Sequence, residues 1–214
     1  NTNFYKTYPA IYDHLKSIPK PDAKFIYGTA GFRMHCDLLP SVFIRVGIIG
    51  VLRSMYHKQV ILVCAGSRIG DRSHGHCISQ PGDRQRYQDC GSRWWYDVPG
   101  LGEGGCFCIP SLLFATDLTN SDPDAALELI DAFVAEKKID LSVHPIVIMG
   151  RDTRKSGKYL LDLAIKSAEI MHAEVMNLEE VTTPLLHHVV RQYNDPTSQY
   201  KGVDGYYKML GDGF

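Results

Sequence analysis

The run PIVIMG at 145–150 sets four large apolar side chains in a row between a proline and a glycine, with no polar position at which one face could meet water. A strand on an open, half-solvated sheet alternates, and this one does not, so it predicts a strand covered on both faces at the centre of a parallel sheet. A parallel sheet needs crossover connections, and the following residues supply one. After the loop RDTRKSG comes KYLLDLAIKSAEIMH, with Leu160, Leu163, Ala164, Ser167 and Met171 on one helical stripe, and then a second strand at AEVMNL. Strand, helix and strand in that order predict a right-handed crossover.

Two further segments read as helices. SVFIRVGIIGVLRSMYHK places Phe43, Val46, Ile49 and Leu52 at three-residue steps. SDPDAALELIDAFVAEKK offers Asp122 as N-cap and Pro123 at the first helical position, with Leu129, Ile130, Phe133 and Val134 forming the buried stripe. The fold class predicted is α/β: a three-layer α/β/α domain around a mainly parallel, mixed sheet. A length of 214 residues with 44% hydrophobic side chains suits one such domain or two small ones. A net charge of -1 excludes the strongly basic face of a nucleic-acid binder. No apolar run approaches the roughly 20 residues of a membrane span, and the N-terminus lacks the apolar stretch of a signal peptide. No nucleic-acid or membrane partner and a cytoplasmic location are therefore expected. The chain starts without Met and stops at YYKMLGDGF, which reads as a piece of something longer.

In sheets of this kind ligands sit beyond the carboxyl ends of the strands, where backbone amides and helix N-termini converge. Two loops qualify. In YGTAGFR, Gly28 and Gly31 permit close backbone approach, Thr29 offers a hydroxyl, and Arg33 supplies a planar fork suited to phosphate. In GRDTR, Arg151 and Arg154 flank Asp152 directly after a strand. A phosphate-bearing substrate is the natural expectation; the plainer reading is that both loops merely shape and solvate two turns. His187 and His188 in TTPLLHHVV read as packing or capping groups on a helix.

Between residues 61 and 113 the composition changes. That segment holds five of the six cysteines (Cys64, Cys77, Cys90, Cys106, Cys108), both tryptophans and nine of 19 glycines, with no lysine and only Glu103 as glutamate. The division expected is therefore 1–60 and 114–214 as an incomplete α/β/α domain, with 61–113 an aberrant Gly/Cys/Trp-rich insert that forms no stable part of the sheet. His74, His76, Cys77 and Cys90 carry ligand-type side chains, but their spacing fits no zinc pattern, and no metal site is assigned.

The set YGTAGFR, FIRVGIIGVLRS, GRDTR, VTTPLLHHVV and GYYKML, in that order, resembles the first domain of the α-D-phosphohexomutases over 25–54 and 114–207. The closest likeness is to the branch acting on N-acetylglucosamine phosphate. The resemblance implies domain I of that family, and an isomerase in which a phosphoserine moves phosphate between two hydroxyls of the sugar phosphate. It further implies Mg²⁺ for the intact enzyme, bound by later domains with no ligands in this chain, and places Gly28, Thr29, Arg33, Arg151, Asp152 and Arg154 beside substrate or phosphate. Glucose or mannose phosphohexomutases share the general loops and are the alternative.

The resemblance also implies a nucleophile loop close to TASHNP between the two flanks, and no such loop is read there. Taking each codon one nucleotide later, however, GHCISQP at 75–81 becomes VTASHNP with suitable wobble bases. Trp94 and Trp95 have a single codon, so each must become glycine in that frame, and the decoded text resembles the family's catalytic loop and following strand. A wrong reading frame over 61–113 explains the cysteines, glycines and tryptophans together. Ser79 is then accidental and no catalytic residue is assigned. The competing reading is a non-catalytic α/β module that uses the Cys/His/Trp-rich segment to bind metal or a partner.

Overall fold

A computed structural model describes residues 3–28, 31–32, 34–68, 74–76, 108–195 and 197–213. Helices α1 (Asn3–Thr7) and α2 (Ala10–Ser17) lead into a hairpin of two-residue strands, β1 (Tyr27–Gly28) and β2 (Gly31–Phe32). A single 3-10 turn at Cys36–Leu38 precedes α3 (Pro40–His57), then β3 (Ile61–Arg68) and β4 (His74–His76). The remainder is α4 (Cys108–Asn120), α5 (Pro123–Glu136), β5 (Ile146–Arg151), α6 (Gly157–Ile170), β6 (Glu174–Glu180), α7 (Thr183–Asn194) and α8 (Gly202–Asp212).

The sheet order is β4-β3-β5-β6, with β3, β5 and β6 parallel and β4 antiparallel at the edge. The PIVIMG strand is central and buried on both faces. Val147 and Met149 enter the larger core with α3 and α6, while Ile148 faces the other way and packs with Val60, Leu185, Leu186 and Val189 beneath α7. Helices on both faces of one mainly parallel sheet make the expected three-layer α/β/α domain.

Helix α3 is buried nearly all round rather than along one stripe, because it packs against β3 and β5 and is also covered by α6, itself packed on the sheet, and by α4. Its contact with α6 is close. A Cβ at Gly47 would lie 2.4 Å from the Ala164 carbonyl oxygen and 2.7 Å from Ser167 Cβ, and the Ser167 hydroxyl donates to the Ile44 carbonyl at 2.8 Å. Toward α4 the helix presents Arg45, which has no exposed surface. Its guanidinium donates to three carbonyls, Leu118 at 2.8 Å, Ser41 at 2.8 Å and Ser121 at 2.7 Å. Two of these lie at the C-terminal end of α4, where carbonyls have no helical partner. Burial lowers the Arg45 pKa to about 10, with Asp122 opposing the fall.

The sequence-derived stripes need small corrections. On α5 the buried set is Ala126, Leu127, Ile130, Phe133 and Val134, and on α6 it is Leu160, Leu161, Ala164, Ser167 and Ala168. Leu129 and Leu163 are only partly buried, because each helix is covered along a face slightly rotated from the one inferred.

A larger correction concerns residues 61–113, expected to contribute nothing to the sheet. Ile61–Arg68 instead forms β3, pairing in parallel from Ile61 opposite Val147 to Ala65 opposite Arg151. Ile61 and Val63 are buried beside α3. His74–His76 adds β4, and α4 begins inside the segment at Cys108. The physical reason is that ILVCA has strand-forming side chains whatever the lysine and glycine content around it, and β5 would otherwise lack a neighbour on that side. The rest of the segment, including Cys77, Ser79, Cys90, Trp94 and Trp95, lies outside the described residues.

Candidate functional site at the carboxyl edge of the sheet

Strand β5 ends at Arg151, and the chain turns through Asp152 to Ser156 before α6 begins. Two glycines make this turn possible. A Cβ on Gly150 would stand 2.5 Å from Val181 Cγ2, and one on Gly157 would stand 3.3 Å from the Asp152 carbonyl oxygen. Asp152 organises the turn: its carboxylate accepts the Arg154 backbone N–H at 3.2 Å and pairs with the Arg154 guanidinium at 2.7 Å.

Arg151 reaches sideways along the edge. Its side chain is only 14% exposed, with Nη1 lying 2.8 Å from Glu180 Oε1 and 3.3 Å from the Asp152 carbonyl oxygen, and Nε 3.8 Å from Glu179 Oε2. Sequence reasoning missed both glutamates because they belong to the next strand, where a register shift in the β5–β6 ladder sets Glu180 opposite Arg151. The signal available was the pair Glu179-Glu180 at the end of the strand that follows the loop.

The second predicted loop is visible in part. Gly28 pairs with Gly31 across the β1–β2 hairpin, and β2 lies against β4, which pairs with β3 from Gly66 to Arg68, beyond the level of Arg151. Both loops therefore belong to the carboxyl side of the sheet. Thr29 and Arg33 lie outside the described residues.

His188 is a packing group: its Nε2 is 3.0 Å from the Tyr200 carbonyl oxygen and its ring meets Tyr206 edge-on. Burial lowers the pKa of His187 beside it. Among the described residues one group has mixed metal-ligand chemistry, His35, Cys36 and Asp37 on the 3-10 turn. Partial burial, then the neighbouring Asp37 carboxylate, push the Cys36 thiol up, so it stays protonated. This set does not match the all-oxygen environment Mg²⁺ prefers.

Residues 116–203 match the family profile "Phosphoglucomutase/phosphomannomutase, alpha/beta/alpha domain I". The phosphoacetylglucosamine mutase of Candida albicans is 32% identical, the match covering 94% of this chain and 36% of that protein. The Sus scrofa phosphoacetylglucosamine mutase is also 32% identical, over 96% of this chain and 34% of its own. The chain belongs to the α-D-phosphohexomutases. Among solved structures, an N-acetylglucosamine-phosphate mutase of this superfamily in its product complex superposes with a TM-score of 0.75 at 30% identity, covering 96% of this chain and 36% of that one. The Aspergillus fumigatus N-acetylphosphoglucosamine mutase in complex with GlcNAc-6P and magnesium gives 0.74 at 28% identity, over 96% and 35%. This phosphohexomutase chain thus spans about a third of the length of the relatives it matches. Among its described residues, no helix is long and apolar enough to cross a membrane.

Proposed function

We propose that this chain is the domain I portion of a phosphoacetylglucosamine mutase, which interconverts N-acetylglucosamine 6-phosphate and 1-phosphate on the route to UDP-N-acetylglucosamine in the cytoplasm. The observation that carries the reading is the extent of the match: 94–96% of this chain aligns with mutases of that one sugar. Transfer would run through an enzyme phosphoserine, a bisphosphate intermediate, and return of the other phosphate to serine. Such chemistry rests on positioning and charge stabilisation of the phosphoryl group. The part assigned to this chain is the carboxyl edge, with the residues of the YGTAGFR motif, Arg33 among them, proposed to meet phosphate and the 150–154 loop to shape the rim. Magnesium, present in the Aspergillus complex, would supply Lewis-acid stabilisation of the phosphoryl oxygens. Among the described residues the one mixed-ligand group, His35, Cys36 and Asp37, does not fit it.

The serine loop is proposed to be encoded in the shifted frame over part of 61–113, so the 214-residue chain as written is expected to lack turnover. Sequencing the nucleotides across codons 58–114 tests this directly: an open shifted frame reading TASHNP is expected, and stop codons in that frame would sink the idea. Activity is tested with N-acetylglucosamine 6-phosphate, Mg²⁺ and a catalytic amount of sugar bisphosphate, comparing the chain as written, the frame-corrected domain and a frame-corrected protein of the relatives' full length. Turnover is expected only in the last. Faster turnover of glucose 6-phosphate by that protein would move the assignment to the glucose or mannose enzymes.

A further inference from the structure

We infer that Arg151 is a positioning residue and not a phosphate ligand: held by Glu179 and Glu180, its guanidinium fixes the passage from β6 into α7 and so sets the rim of the site. The significance for catalysis rests on the mutase reading above, while the clamp itself stands on geometry alone.

Four features converge on it. The β5–β6 ladder changes register between Met149 and Arg151, bringing Glu180 opposite Arg151, and bulges of this kind re-aim side chains near functional edges. Glu179 adopts a left-handed backbone with φ of 57°, an unfavourable conformation for a residue with a Cβ that persists only where its surroundings enforce it. Asn177 enforces it in part, accepting the Glu179 N–H at 2.9 Å and donating to its carboxylate at 3.0 Å. Finally, the Val181 N–H donates to the Arg151 carbonyl at 2.9 Å, so side chain and backbone of one residue hold both sides of the connection.

Charge decides against phosphate binding by this loop as it stands. Arg151 and Arg154 face Glu179, Glu180 and Asp152, two positive groups against three negative ones, leaving the cluster at -1. A phosphate dianion would have to displace a carboxylate from a largely buried guanidinium and then sit beside that displaced charge. Nη1 is already taken by Glu180 and the Asp152 carbonyl, while Nε is buried without a hydrogen bond and has only the Glu179 carboxylate within ion-pair range.

The test is hydrogen exchange in the full 214-residue chain, which needs no substrate and so does not depend on the mutase reading. In Arg151→Gln and in Glu180→Gln, the Val181 amide is expected to exchange about tenfold faster or more, together with the first amides of α7, while Ile148 in the centre of β5 changes less than about threefold. The charge-swapped double variant Arg151→Glu with Glu180→Arg is expected to restore most of the protection. Unchanged exchange at Val181 in both single variants would overturn the inference. So would a uniform rise across β5 and α3, which would mean a general loss of stability rather than a local clamp. If Arg151→Gln fails to fold, the half-exposed Glu180→Gln still decides between these outcomes.

Discussion

Replacing Arg45 by methionine tests the most unusual packing decision in the domain, a charged side chain with no exposed surface inside the helical layer. Methionine fills similar volume but leaves the Leu118, Ser41 and Ser121 carbonyls without their donor. Hydrogen bonds from a charged donor contribute about 1.5–3 kcal/mol each, so the loss over three is about 4.5–9 kcal/mol. Against this stands relief of the buried charge. The fall of the Arg45 pKa from 12.5 to about 10 converts, at about 1.4 kcal/mol per pH unit, to about 3 kcal/mol. A net destabilisation of about 3 kcal/mol is expected, with Arg45→Lys intermediate because an ammonium cannot reproduce the fork. Urea unfolding followed by circular dichroism reads it: with an m-value of about 1–3 kcal/mol/M, the midpoint falls by about 1 M or more. A midpoint for Arg45→Met indistinguishable from the parent would refute the claim that the guanidinium caps α4, and a higher one would show that its desolvation outweighs its bonds.

Gly47→Ala is expected to cost about 1–3 kcal/mol in the same unfolding assay, since its Cβ would meet Ala164 and Ser167 backbone and side-chain atoms at contact distances that force α3 and α6 apart. Asn194 holds the amino edge of the sheet through both the N–H and the carbonyl of Val60, at 3.0 Å and 2.9 Å; Asn194→Ala is expected to destabilise by about 1–3 kcal/mol, while Asn194→Asp, which keeps only the acceptor, loses part of that. Acid should weaken the fold: burial lowers the pKa of His14 and His187 and, with Arg53 nearby, takes that of His57 to about 4. These imidazoles titrate below their unfolded value of 6.5, so the unfolded chain takes up protons first. Their contribution is complete above that pH and is lost as pH falls toward about 4. Thermal melts across this range in the triple variant His14→Gln, His57→Gln, His187→Gln should show a flatter dependence than the parent, and an unchanged slope would assign the acid sensitivity to other groups.

Local pattern alone determined the central elements here. PIVIMG has no polar position and can only be a doubly buried strand, and the apolar spacing of the three main helices leaves little choice of period, so strand, crossover and parallel neighbour were legible from the sequence. The same ordered motifs also carried the family resemblance, because they are short and contiguous. Tertiary structure decided what depends on partners far away in sequence. Whether Ile61–Arg68 enters the sheet depends on β5 needing a neighbour, which composition does not report. That α3 is buried nearly all round follows from two helices packing on it beside the sheet, one through Gly47 and the other around Arg45. In the GRDTR loop, sequence supplied two arginines at a strand end, and the pairing of β6 with β5, through a register shift that sets Glu180 opposite Arg151, supplied the carboxylates of Glu179 and Glu180 that face Arg151. A side chain's chemistry is written in its residue type, whereas its availability is set by which charges the fold brings within a few ångströms, and that is a property of pairing and register.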